Sequence, residues 1–257
     1  FPNGVFGFLG AFQIAIFAFM GSELVGTTAA ETQNPTVTLP KAINSVPVRI
    51  IIFYVGALLV ILMVNPWNDI DPEKSPFVTM FSLAGIGVAA HIVNAVVLTS
   101  ATSSANSGIF STSRMVCGLA QEGDAPKSLG VLSAQGVPRN ALFLTSTLLL
   151  SSIVLLYAGD SIIGAFTLVT TMAAVLVIFV WSMILISYLC YRRKSPQLHT
   201  QSVYRMPGGV VVCWVVLAFF AFSVCILATA EDTRAGLMLM PIWFGGLAIG
   251  WFVKNKL

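Results

Sequence analysis

IIIFYVGALLVILMV, residues 50–64, is the stretch whose character sets the class of the fold. It is apolar on every face of a helix and shows no alternation, so the reading as a strand of a β-barrel fails. The same character recurs along the chain. The intervals free of Asp, Glu, Lys and Arg run Phe1 to Ser22, Ile50 to Asn68, Ser75 to Ser113, Asn140 to Gly159, Ser161 to Tyr191, Met206 to Ala230 and Ala235 to Val253. Each holds the roughly 20 residues that a helix needs to cross hydrocarbon. We therefore expect an all-α integral membrane protein with seven transmembrane helices. A secretory leader supplies only one short apolar segment, so a signal peptide followed by a globular domain does not account for the pattern.

Composition agrees. The 257 residues are 57% hydrophobic and 9% charged, with a mean hydropathy of +0.90. Soluble domains carry about 25% charged residues. The length alone would allow one or two soluble domains, but only lipid solvates so much apolar surface.

Orientation follows from Lys and Arg in successive connections, because short basic loops stay cytoplasmic. One side collects Lys41 and Arg49, then Arg114, Lys127 and Arg139, then Arg192, Arg193, Lys194 and Arg205, and finally Lys254 and Lys256. The other side holds only Lys74 and Arg234. The C-terminus is thus expected in the cytoplasm, and seven crossings place Phe1 outside. The chain opens FPNG, with no initiator Met and no leader to export that end. The simplest expectation is an odd number of helices before Phe1. The net charge of +3 is then a matter of topology. No basic helix with interleaved aromatics points to nucleic acid.

Catalytic signatures are scarce. His91 and His199 lie far apart in this topology, and neither has a companion ligand for a metal. Cys117, Cys190, Cys213 and Cys225 lack CxxC spacing and read as reduced, packed thiols. No GxSxG, HExxH or Walker A motif occurs. An intramembrane enzyme would lack a recognisable nucleophile and base.

The first apolar segment carries the sharpest signal: GFLGAFQIAIFAFMGSELVGTTAAETQNP, from Gly7 to Pro35. After Met20 come Gly21, Ser22 and Glu23, a sequence that favours a break in the helical ladder and puts a carboxylate within membrane depth. Taking Gly7 as the outer edge, Glu23 lies about 24 Å along a continuous helix, past the midplane. The plainer alternative ends the span near Glu23, with the carboxylate in interfacial water. Against it stand two further turns without charge, Leu24 to Ala30. A broken helix exposes backbone polar groups to a cavity, the device by which secondary transporters hold zwitterions.

A second cluster lies in the third segment, where Thr99, Ser103, Asn106 and Ser107 recur at helical spacing. Ser100, Ser104 and Gly108 form a small-residue row in the same segment, so close helix packing is the competing explanation. In the fifth, Thr167, Thr170 and Thr171 form a weaker cluster whose hydroxyls either face a cavity or bond back to their own helix.

From Phe12 to Val55 the chain resembles the bacterial amino-acid permeases of the amino acid–polyamine–organocation superfamily. The resemblance continues through Pro66 to Val78, through LTSATSSANSGIFSTSRMVCGLAQEGDAPK (Leu98 to Lys127) and through Ile163 to Thr171. It extends to Ser187 to Pro207 and to Glu231 to Arg234. It implies a twelve-helix, LeuT-like transporter in which this chain is helices six to twelve. Residues 1–191 would form the second five-helix inverted repeat, its first helix broken near 20–23, and 192–257 a basic cytoplasmic loop with two peripheral helices. Helices one to five would be missing.

The resemblance further implies proton-coupled import of small neutral amino acids (D-serine, D-alanine, glycine) across the inner membrane. The proton gradient supplies the energy and no cofactor takes part. Carbonyls of Phe17, Ala18 and Met20, beside Gly21, would receive the substrate ammonium, and Phe17 or Phe19 would cap it. Glu23 would couple protonation to gating. Ser103, Ser104 and Ser107 would line the intracellular path, or the place where sodium-dependent relatives bind their ion. The Gly-rich break of the family's first helix, which takes the substrate carboxylate, is absent. Open alternatives are a permease for aromatic, basic or branched amino acids or γ-aminobutyrate, a transport-incompetent fragment, and an intramembrane enzyme or scaffold.

Overall fold

The computed structural model describes residues 4–29, 32–71, 74–85, 87–158, 162–229 and 231–256. Among these residues every regular element is helical. By length and composition, five helices suit a membrane crossing: Pro35–Val64, Val88–Gln121, Gly164–Lys194, Gly209–Thr229 and Thr233–Lys254. The other two expected crossings coincide with α1 (Gly4–Ala18, 15 residues) and α7 (Arg139–Ala158, 20 residues). Large apolar side chains face outward throughout, as with Met63 at 82% exposure and Ile242 at 72%. Water does not tolerate apolar faces of that extent, whereas lipid does.

Two of the charge-free intervals do not match the helices that form. The span expected to begin at Ile50 is the second half of a longer run that starts at α3 (Pro35–Ile50) and ends in α4 (Gly56–Val64). Pro35 at the first helical position tolerates the helix, because its missing N–H would have no partner there. Pro40 and Pro47 lie inside α3, and a wide π turn at Ile51–Val55 follows them. Proline removes a ladder donor and crowds the preceding turn, and π turns are one way of absorbing that mismatch. Lys41 and Arg49 therefore sit on a helix rather than in a loop.

The third interval is likewise two helices, α5 (Pro76–Leu83) and α6 (Gly87–Gln121). Between them Gly85 takes φ +74°, a conformation that ends a right-handed helix. α6 stops at a Schellman cap: Gly123 is left-handed at φ +87°, its N–H reaches the Ala120 carbonyl and that of Asp124 reaches Leu119.

The chain divides into two compact units, one of Phe1–Met20 with Leu155–Leu257, the other of Gly21–Val154. In the first, α1 packs on α8 (Ile162–Lys194) and α10 (Gly209–Thr229) through buried Ile16, Ala174, Ile178 and Phe220. Phe12 meets Phe219 edge-on at 5.8 Å. α11 (Glu231–Lys256) crosses α8 where Gly236 faces Thr171, so closely that a β-carbon on Gly236 would lie 2.9 Å from Thr171 Cγ2. In the second unit, α2 (Leu24–Thr27) touches α3 and α6, and α5 packs along α6. The four cysteines are free, with Cys117 and Cys213 buried and Cys190 and Cys225 exposed.

Candidate functional site

α1 ends at Ala18, residues 19–23 form turns, and α2 begins at Leu24. The last turn of α1 tightens, with Phe19 N–H donating to the Ile16 carbonyl and Met20 N–H to that of Phe17, both at 3.1 Å. Gly21 then takes φ +97°, a backbone conformation through which a right-handed helix does not continue. An interruption at this point frees backbone donors and acceptors that an intact helix would pair. Glu23 answers one of them, since its Oε2 accepts the Gly21 N–H at 3.1 Å. The carboxylate is half-buried, and no hydrogen bond beyond that one and no ion pair is found for it among the described residues. It retains lone pairs for a proton or a further donor.

The ring of Phe17 is half-buried and meets Phe166 of α8 edge-on at 6.2 Å. Phe19 is 39% exposed, and Ala18 is exposed as well. Phe17, Ala18, Phe19 and Met20 belong to the first compact unit, whereas Gly21, Glu23 and the three serines belong to the second.

Ser103, Ser104 and Ser107 are exposed on α6. The Ser107 hydroxyl donates to the Ser103 carbonyl at 3.0 Å, and Thr99 and Thr102 bond back to their own helix in the same way. Ser103 and Ser107 share one face, and steps of four residues carry that face to Ser111. There the stripe meets α2: Ser111 Oγ donates to Thr27 Oγ1 at 3.1 Å, and Thr27 Oγ1 donates to the Leu24 carbonyl at 2.9 Å. Ser111 is 4% exposed. This link between the helix after the break and the polar helix was not anticipated. The sequence signal was the hydroxyl at the next position of the stripe, but its partner is 84 residues away.

Ser111→Ala should remove a net stabilisation of about 1 kcal/mol and so speed amide exchange over residues 24–28 about fivefold. Hydrogen–deuterium exchange of the detergent-solubilised chain reads this directly. Unchanged exchange would mean that other contacts hold α2.

The threonine cluster of α8 is packed. Thr170 donates to the Phe166 and Thr167 carbonyls and Thr171 to that of Thr167, with exposures of 3% and 0%. Asn94 instead lines a separate cavity of about 330 Å³ with Lys74, Ser75, Thr79 and Ser82.

Five apolar helices of membrane-spanning length describe a multi-pass membrane protein. The amino acid permease family matches residues 1–257, and the chain belongs to that family. It is 56% identical over 256 residues to a D-serine/D-alanine/glycine transporter of Escherichia coli, covering 100% of this chain and 54% of the relative. It is 47% identical over 256 residues to an amino-acid permease of Bacillus subtilis, covering 100% of this chain and 55% of that protein. It is 42% identical over 245 residues to a DL-alanine permease of Lactococcus lactis, covering 95% of this chain and 53% of the permease. The chain spans about half the length of the curated relatives it matches. No solved structure matches it.

Proposed function

We propose that the chain forms helices six to twelve of a LeuT-like permease that imports D-serine, D-alanine and glycine with protons across the bacterial inner membrane by alternating access. Residues 1–191 make the second five-helix inverted repeat on this reading, and 192–257 the basic loop and two further helices. All seven segments cross the membrane and the C-terminus is cytoplasmic. The observation that carries the proposal is the interrupted helix at residues 19–23, with Glu23 in its turn, in a chain of the amino acid permease family.

Carbonyls of Phe17, Ala18 and Met20 receive the substrate ammonium beside Gly21, and Phe17 or Phe19 closes over it. Donors for the substrate carboxylate come from helices one to five of the full-length permease. Without such donors a bound zwitterion would keep a desolvated, unpaired carboxylate, which is costly. Ser103, Ser104 and Ser107 line the intracellular path. Protonation of Glu23 removes its charge and weakens its hold on the Gly21 N–H, so the two protonation states favour different conformers. The choice of small substrates is supported by the names of two relatives, a D-serine/D-alanine/glycine transporter and a DL-alanine permease.

The test is uptake of labelled D-alanine by vesicles containing the intact permease under an inside-alkaline gradient. Glycine and D-serine should compete, whereas aromatic, basic and branched amino acids and γ-aminobutyrate should not. Competition by one of the latter would reassign the substrate. Absence of accumulation would favour a chain that does not transport.

A further inference from the structure

The connection between α8 and α10 takes no part in the substrate site proposed above, yet it borders an open cavity of about 420 Å³. Its walls are Tyr188, Arg192, His199, Arg205, Met206 and residues 208–211. No Asp or Glu occurs between Asp160 and Glu231, so the connection offers no carboxylate to its cations. Arg192 makes no hydrogen bond or ion pair among the described residues. Arg205 donates through Nη2 to the Thr200 carbonyl, which leaves its other donors open.

Three further features make this a built pocket rather than a solvated basic loop. The Tyr188 hydroxyl is buried and has no hydrogen-bond partner among the described residues. Its ring, and that of Tyr191, hold His199 edge-on at 5.7 and 6.4 Å. The backbone leaves room for the guanidinium, because a β-carbon on Gly209 would come 2.7 Å from Arg192 Nη1. Gly208 and Gly209 take φ of +71° and +52°, a conformation that side chains disfavour. Finally, α10 starts here. The Gly209 N–H is taken by the Met206 carbonyl at 3.1 Å, whereas Val210 and Val211, which line the cavity, carry first-turn N–H groups without intrahelical acceptors. Guanidinium groups and a helix N-terminus converge on the chemistry of a phosphate.

We propose that this cavity binds the phosphate of an anionic phospholipid headgroup. α8 and α10 both have the length and composition of membrane spans, so the cavity opens where spans end, at the depth of lipid phosphates. Apolar side chains line the cavity beside the charges: Met206, Val210 and Val211, the last 71% exposed. A free anion has no use for them, whereas a lipid lays its glycerol and upper acyl carbons on such a surface. The proposal is independent of the transport reading, and its test involves no uptake.

The purified full chain in neutral detergent is titrated with phosphatidylglycerol or phosphatidylcholine and followed by native mass spectrometry. One phosphatidylglycerol should be retained at concentrations where phosphatidylcholine is not. Arg192→Gln with Arg205→Gln should raise the half-saturating concentration about tenfold or more. Arg193→Gln, outside the cavity, should shift it by less than about twofold. Gly209→Ala, which keeps every charge but crowds Arg192, should weaken retention as well. Equal retention of the two lipids by the unaltered chain overturns the proposal, and so does unchanged binding in the Arg192/Arg205 double variant. Saturable retention of inorganic phosphate without preference between the lipids overturns the lipid assignment.

Discussion

Glu23→Gln in the intact permease should leave D-alanine able to equilibrate across the membrane but unable to accumulate against its gradient. The carboxylate sits in the turn that interrupts an apolar helix and accepts the Gly21 N–H at 3.1 Å. Glutamine keeps an acceptor oxygen at that place, so the turn survives. What it loses is the ability to change charge, which is the only means by which this residue could distinguish an outside proton from an inside one. With one proton per substrate and a gradient of about 2 pH units, the driving force is about 2.7 kcal/mol, roughly a hundredfold accumulation. The variant should forfeit most of that factor while still exchanging labelled for unlabelled substrate. Full accumulation with an unaltered pH profile would remove Glu23 from the coupling mechanism.

Gly21→Ala should lower D-alanine uptake by about tenfold or more without preventing the chain from folding. There is room for the methyl group, since the nearest atom to a β-carbon at this position is Leu24 Cδ1 at 3.9 Å. The penalty lies in the backbone. At φ +97° an L-residue clashes with its own carbonyl, at a cost of about 1–2 kcal/mol or more. The chain can escape that strain by winding residues 19–23 into helix, which closes the interruption. Gly21→Asn should be milder, because asparagine enters the left-handed region more readily. Wild-type uptake in the alanine variant would mean that the interruption is not the substrate cradle.

The interruption could be read from sequence because Gly21, Ser22 and Glu23 follow one another inside an apolar run, a local conflict with helix that needs no knowledge of the rest of the molecule. The boundary at Gly85 was not read. Counting charges treats an uncharged stretch as continuous, and Gly85 and Gly87 add no charge, although their spacing was the available sign of a turn. The start of α3 was missed for the opposite reason. Lys41 and Arg49 marked a loop by charge, whereas Pro35 at the first helical position let the helix begin earlier. In the site, the serine stripe was legible from its spacing. Its anchoring through Ser111 to Thr27 was not, because hydrogen bonds between distant segments leave no periodic trace. The Arg192 pocket similarly depends on where Gly208 and Gly209 direct the chain after the helix has ended.

The wide turn at Ile51–Val55 acts on α4 as the insertion of one residue would. One residue is about 100° of rotation, so each side chain after the turn points where its predecessor would in an uninterrupted helix. Ile61 and Asn65 are the buried residues near the end of this run, at 5% and 7% exposure. An unbroken α-helix of the same sequence would aim Val60 and Val64 in their directions and leave the Asn65 amide about a quarter-turn away. The wide turn thus sets, before α4 ends, the side on which Ile61 and the capping Asn65 are buried.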